Sequence, residues 1–424
     1  MSFPRYEHYK DSGVEWLGEV PAGWEIVRLK NIASVNMGQS PKSEDCNQDG
    51  DGIPFLQGNA DFGDHNPTPR YFCTTANKFA QNGDVLLSVR APVGAINIAN
   101  QIYGIGRGLC AITANTETSR GYLYYALGKI TEELFSVATG STYEAVSAEQ
   151  VGNARCFSPP AKEQHAIAAF LDRETAKIDA LIAEQQRLIA LLSEKRQAVI
   201  SHAVTKGLNP DAPMKDSGIE WLGEVPAGWE VTRLANLFKE VDERGDEGLP
   251  VLCVSIHSGI SDRELDEEEM DRKVSRSEDR SIYKQVMVGD LVYNMMRAWQ
   301  GAFGAAKVNG MVSPAYVVAR PRRPLITTHI ELLLRTPQAI EQMRRHSKGV
   351  TDFRLRLYWD EFKDIRVAVP PYEEAEAICA HVEKVVSGYE NLSFASQQVI
   401  ALLKERRTAL ISAAVTGKID LRSS

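Results

Sequence analysis

The chain has 424 residues, a formal net charge of −8, 43% hydrophobic residues and 25% charged residues, proportions of a folded soluble protein with two to four domains. No apolar run approaches the roughly 18 residues that span a bilayer. The polar start MSFPRYEHYK lacks the apolar core of a secretory signal, and the six cysteines form no C-x-x-C pair. These features set the expectation of a cytoplasmic protein with no membrane partner, no bound metal and no C-x-x-C redox motif.

The first element in chain order is also the most unusual. DSGVEWLGEVPAGWE, residues 11–25, returns as DSGIEWLGEVPAGWE at 216–230, and residues 9–29 match 214–234 at 17 of 21 positions with a constant offset of 205. Next come β-rich runs that begin after a turn-forming Gly-Asp. These are GDVLLSV at 83–89 and, in the second half, GDLVYNMM at 289–296. Each leads into an arginine and a glycine, Arg90 with Gly94 and Arg297 with Gly301, at a shared offset of 207. That spacing predicts two domains of the same mixed α/β fold under divergent sequences. GIGRGLCAI at 104–112 lacks the spacing and the following helix of a nucleotide fingerprint and reads as a backbone turn that closely approaches something. The acidic run at 262–271 reads as a solvated face. Basic residues cluster instead at 320–323, 343–348 and 352–357.

A second repeated segment starts at Pro159 and again at Pro370, at an offset of 211, and ends in QRLIALLSEKRQAVISHAVT and QQVIALLKERRTALISAAVT. Prolines suit a helix start, and Glu163 and Glu374 suit the positive end of the helix dipole. Apolar residues recur at heptad spacing. Leu171, Ile178, Leu192 and Val199 share one position, and Ile167, Leu181 and Leu188 share another. The second copy has Val382, Tyr389, Leu403 and Leu410 in the first position, with Ile378, Val385, Leu392 and Val399 in the other. Such seams bury against a partner helix, so the two copies are expected to pair as an intramolecular antiparallel coiled coil. Ser387-Gly388 marks a candidate kink or break, because glycine weakens a helix interior.

The expected fold class is α+β: two mixed α/β domains separated by two long helices, with a pseudo-two-fold internal repeat. The expected segments are 1–158 (first domain with its constant segment), 159–208 (first long helix), 209–369 (second domain) and 370–424 (second long helix and tail). A rigid spacer between two dissimilar readers would act as a ruler.

No catalytic constellation is found. Adenine methylation needs an Asp/Asn-Pro-Pro-aromatic motif, whereas VPPY at 369–372 begins with Val369 and its counterpart SPPA at 158–161 has no aromatic. No carboxylate cluster with a lysine is present to hold the magnesium of a nuclease, and there is no G-x-x-x-x-G-K-[ST] for an ATPase. His257 is expected to pack at a strand end.

These residues resemble those of the specificity subunit of type I restriction-modification systems. The resemblance rests on W-L-G-E-V-P-x-G-W before each variable domain, GDVLLSVRAPVG, and PPAKEQHAIAAFLD opening the helix, with VNMGQSPKSED and TGSTYEAVS in support. The second half departs from the pattern with PPYEEAE and MMRAWQG. In this family each variable domain is a target recognition domain that reads one half of a split, asymmetric double-stranded DNA site. The constant segments form the coiled coil and dock two methyltransferase subunits and, through them, a motor-nuclease subunit. The resemblance therefore implies a non-catalytic subunit of a methylation or restriction complex. It implies no cofactor on this chain, with S-adenosylmethionine, ATP and magnesium on its partners. Residues expected to contact DNA are Gly38, Gln39, Lys42, Arg90, Arg107, Gly140, Ser141, Thr142 and Tyr143 in the first domain. In the second they are Arg297, Trp299, Lys348, Thr351 and Arg354. The competing reading is a stand-alone two-domain DNA-binding regulator, which would bind a palindrome as a homodimer.

Overall fold

The structure is a computed structural model. It describes all residues except 1–2, 15–16, 139–144, 247, 267, 270–278, 350–354 and 423–424. The chain divides into two compact units, Met1–Gln185 with Gln398–Ser424, and Gln186–Gln397.

Each unit contains one copy of the repeated segment, which folds as a short antiparallel hairpin. Tyr9–Asp11 pairs with Glu19–Pro21 in the first unit, and Met214–Asp216 with Glu224–Pro226 in the second. The DSG tripeptide explains the turn. Asp11 and Asp216 each accept a 2.9 Å bond from the amide two residues on, and Gly13 and Gly218 sit at φ +68° and +64°, where only glycine is unstrained. The tryptophan closing the repeat is buried in each core, Trp24 and Trp229 both at 1% exposure.

The domain that follows is built on a four-stranded antiparallel sheet. In the first unit the order is Ile96–Ile98, Val85–Ser88, Leu109–Ala114, Ala33–Met37. In the second it is Phe303–Ala305, Leu291–Asn294, Tyr316–Pro321, Phe238–Val241. The two orders are equivalent, as the 207-residue offset predicted. The central strands are largely apolar because the sheet is covered on both faces. Successive side chains on a strand alternate between those faces. Val85 and Leu87 join one core with Leu123, Leu127 and Ile130 of the helix Arg120–Ala138, whereas Leu86 joins another. Likewise Leu291 and Tyr293 enter one core and Val292 a second.

Against this shared sheet the units differ. The first carries a five-stranded sheet, ordered Cys46–Asn47, Tyr71–Cys73, Ile53–Leu56, Tyr103–Ile105, Phe79–Ala80, with Ile53–Leu56 and Tyr103–Ile105 parallel. Among the described residues of the second unit, two separate pairs take its place, Val254–Ser255 with Gly259–Ile260 and Lys284–Val286 with Gly310–Val312. His257 lies exposed in the turn of the first pair rather than packing at a strand end. The packed histidine is His329, which sits edge-on to Trp229 at 5.7 Å.

Helices Ala161–Lys206 and Tyr372–Val415 follow the prolines in both copies. The second continues through Ser387-Gly388 without a break, since one glycine costs a helix interior only about 1 kcal/mol and the apolar seam continues on both sides of it. Within each unit the two helices run antiparallel. In the first, Ile167 and Leu171 share a core with Ala414 and Val415, while Asp179 pairs with Arg407 at 3.0 Å. In the second, Ile200 and Val204 share a core with Ile378 and Val382, while Arg196 pairs with Glu390 at 3.3 Å.

One column of the seam departs from expectation beyond its buried starts, Ile167 and Ile378. Leu181, Leu188, Leu392 and Val399 are 41–54% exposed. The residues that follow each of them in sequence, Ile182, Ile189, Ser393 and Ile400, are half-buried instead. Positions three and four residues after a seam position lie on opposite sides of it, so a single partner helix covers one column and leaves the other exposed.

Candidate nucleic-acid interface

In the first unit the strand Val85–Ser88 ends in a turn that places Arg90. Ser88, almost fully buried, donates its hydroxyl to the carbonyls of Arg90 and Pro92 at 2.9 and 2.6 Å. Gly94 closes the turn at φ +93°. The neighbouring Val89 amide donates to Gly108, and Val146 donates back to Val89, both at 2.9 Å. Arg90 itself bridges to Ala145. The 106–108 turn therefore lies beside Arg90, and the chain at Ala145–Val146 reaches the same place.

The glycines around Arg107 allow a close approach by Gln57. A Cβ on Gly106 would lie 2.6 Å from the Gln57 side-chain oxygen, and one on Gly108 would lie 2.7 Å from its carbonyl. This is the close backbone turn that GIGRGLCAI implied. Gly38 and Gln39 join the group through 2.9 Å bonds from their amides to Leu109 and Ile105. Ser40 accepts from the Gln57 side chain at 2.9 Å and from the Arg107 amide at 3.4 Å. Gln39, Gln57, Arg90 and Arg107 are all exposed, and neither arginine has an ion-pair partner among the described residues. Lys42 stands slightly apart, in a solvent-exposed pair with Glu44 at 3.5 Å.

The second unit repeats the turn with other residues. Asn294 accepts from the Met296 amide at 3.0 Å, and Gly301 closes the turn at φ +90°. Leu357 donates to Met295 at 2.9 Å, the counterpart of Val146 to Val89. Arg297 is half-buried, and the Trp299 indole donates to the Met296 carbonyl at 3.0 Å. Lys348 and Arg356 exchange two 2.9 Å backbone bonds. Lys348 is also bound to the Glu361 carboxylate, which raises the ammonium above its ordinary value. Gly140, Ser141, Thr142, Tyr143, Thr351 and Arg354 lie outside the described residues.

The structure thus gathers Gly38, Gln39, Arg90 and Arg107 in one unit, and Arg297, Trp299 and Lys348 in the other. Sequence reasoning missed Gln57 and Arg356. Gln57 follows a short strand with no motif around it, and only the glycines that make room for it mark its place. The basic run at 320–323 has another use. Arg320 is held by Asp290 and Glu243, and Arg323 by Glu230.

The constant segments line two further cavities. One, of about 490 Å³, is bordered by Tyr6, Trp24, Lys162, Glu163 and Arg422. The other, of about 270 Å³, is bordered by Glu230, Arg323, Pro371 and Tyr372. The repeated glutamate has different partners in the two copies. Glu374 accepts from the Trp229 indole at 3.0 Å. Glu163 accepts from the Tyr6 hydroxyl, and the Trp24 indole has no partner among the described residues. Burial, followed by the bond to Glu163, holds the Tyr6 phenol far above its ordinary value.

Two duplicated units, each with a long antiparallel helix pair and a turn presenting basic and polar side chains, define the class. Residues 21–190 match the family described as type I restriction modification DNA specificity domain. The chain is 39% identical over 158 residues to a putative type I restriction enzyme MjaX specificity subunit of Methanocaldococcus jannaschii, a match covering 37% of each chain. It is 26% identical over 239 residues to the MjaIX specificity subunit of the same organism, covering 53% of each. These matches span about a third to a half of the two relatives. With the EcoBI specificity subunit of Escherichia coli it shares 21% identity over 434 residues, 96% of this chain and 89% of that one. Two solved structures share the fold. A chain from work on complex assembly and conformational transition of the type I R-M system superposes with a TM-score of 0.61 at 18% identity, covering 93% of this chain and 98% of that one. The HsdS subunit from Thermoanaerobacter tengcongensis gives 0.52 at 17%, covering 94% and 98%. In sequence over residues 21–190 and in fold, the chain is similar to type I restriction-modification specificity subunits. Among the described residues, no helix is long and apolar enough to cross a membrane.

Proposed function

We propose that this chain reads a bipartite, asymmetric DNA target, one half with each unit. The observation that carries this reading is the equivalent turn in the two units, Ser88–Gly94 and Asn294–Gly301, each tied to a returning segment and each bearing an arginine. Equivalent scaffolds with different side chains read different bases, because guanidinium and amide groups distinguish base edges in the major groove. The modules are residues 1–158 and 209–369, and the helices at 159–208 and 370–424 space them.

The chain docks two methyltransferase subunits, and through them a motor-nuclease subunit, on its repeated segments. The exposed leucine column of the long helices supports this reading, since apolar surface left uncovered marks interaction sites. The chain performs no chemistry itself. S-adenosylmethionine, ATP and magnesium belong to the partners, and the assembly works in the cytoplasm.

The test exchanges residues 30–157 for the matching stretch of a relative. The methylated motif is then sequenced in cells that also make the methyltransferase. One half-site changes and the other stays. Simultaneous change of both halves would refute independent readers.

A further inference from the structure

The sequence offers no C-x-x-C pair, but the fold builds a dithiol from cysteines far apart in the chain. Cys46 on the edge strand Cys46–Asn47 stands directly opposite Cys73 on Tyr71–Cys73 in an antiparallel pair. The Thr74 amide donates to the Asp45 carbonyl at 3.2 Å. That bond flanks the cysteine pair, which makes 46/73 a non-hydrogen-bonded pair, the kind whose Cα atoms approach to about 4.5 Å. A disulfide spans Cα separations of roughly 4.4–6.8 Å. Both thiols are free; Cys46 is half-exposed and Cys73 buried. The edge strand has only two residues and, among the described residues, no strand on its outer side, so a small oxidant reaches Cys46 without opening the sheet.

We propose that Cys46 and Cys73 form a reversible cross-strand disulfide by exchange with a low-molecular-weight disulfide of the glutathione type. The Cys46 thiolate attacks one sulfur of the small disulfide, forming a mixed disulfide and releasing one small thiol, which takes up the proton Cys46 has lost. The Cys73 thiolate then attacks the Cys46 sulfur and releases the second small thiol, which takes up the proton Cys73 has lost. Two protein thiols are oxidised to one disulfide, and one small disulfide is reduced to two thiols. A reducing compartment holds the pair as thiols. The bridge closes a loop that contains Gln57 and ties the edge strand, which follows the Gly38–Lys42 segment, to the sheet. Burial, and the Cys73 thiol beside it, hold the Cys46 thiol above its ordinary value, so exchange quickens as pH rises, because the thiolate is the nucleophile.

The folded, full-length chain is incubated with excess oxidised glutathione, quenched in acid with N-ethylmaleimide and digested with trypsin. Cys46 falls in the peptide 43–70 and Cys73 in 71–78. The expected product is those two peptides joined, separating on reduction, while Cys110 and Cys156, both buried, remain unbridged. In Cys73→Ser the glutathione adduct stays on Cys46. In Cys46→Ser the buried Cys73 stays unmodified. A wild-type chain that keeps glutathione on Cys46, or that leaves both thiols open to alkylation, overturns the proposal.

Discussion

Replacing both Arg90 and Arg107 by alanine tests the first reader most directly. Neither side chain has an ion-pair partner among the described residues. The backbone at Arg90 is fixed by the Ser88 hydroxyl, and that at Arg107 by Ser40 and the flanking glycines. The fold should therefore lose no more than about 0.5 kcal/mol per substitution, as for surface positions without such features. Binding should change far more. Each arginine that neutralises a phosphate contributes about 0.9 to the slope of log affinity against log salt, so removing two lowers the slope by ~1.8, or about twelvefold over a fourfold range of salt. An arginine that instead holds a guanine edge costs roughly 1–3 kcal/mol and relaxes one base position. The assay is fluorescence anisotropy of the chain with its methyltransferase on a duplex carrying the methylated motif, from about 50 to 200 mM salt. An unchanged slope, affinity and motif in a well-folded double variant would refute the placement of the interface.

Three further outcomes are expected. Trp229→Phe should destabilise its unit more than Trp24→Phe does its own, by about 1.5–3 kcal/mol, because only the Trp229 indole donates to a carboxylate; native-state hydrogen exchange of the surrounding amides reads the difference. Gly108→Ala should weaken recognition of the first half-site alone, since the new Cβ would meet the Gln57 backbone carbonyl at 2.7 Å, an overpacking cost of about 1–3 kcal/mol; motif sequencing reads the outcome. Burial pushes the His329 imidazole down to about 4, and neither ring nitrogen has a partner among the described residues. The folded state then binds the proton less readily than the unfolded chain, so full stability holds above about pH 6.5. Stability is lost as pH falls towards about 4, by roughly 3 kcal/mol in all. Denaturation of the second unit followed from about pH 7.5 down to 4 should show that loss, and His329→Leu should remove it.

The repeat was legible because it is written in local chemistry. The DSG turns, the prolines before each long helix and the Gly-Asp starts of the central strands act within a few residues of themselves, so spacing in the chain carried them into the structure. The first seam column, Leu171 to Val199, was legible for the same reason. The second column was not, because apolar residues stood on both sides of the first and only the partner helix selected one of them. Individual site residues depended on contacts between distant segments. Gln57 meets the Arg107 turn through glycines far away in sequence, Cys46 faces Cys73 through strand register, and Arg320 is drawn to Asp290 and Glu243 rather than left free. The sequence by itself determined two copies of one scaffold and the helices that follow them, because turn, cap and period are local properties. Tertiary structure decided which side chains gather at each turn, which leucines remain exposed and which thiols meet, because those outcomes depend on register and packing between segments with no common local signal.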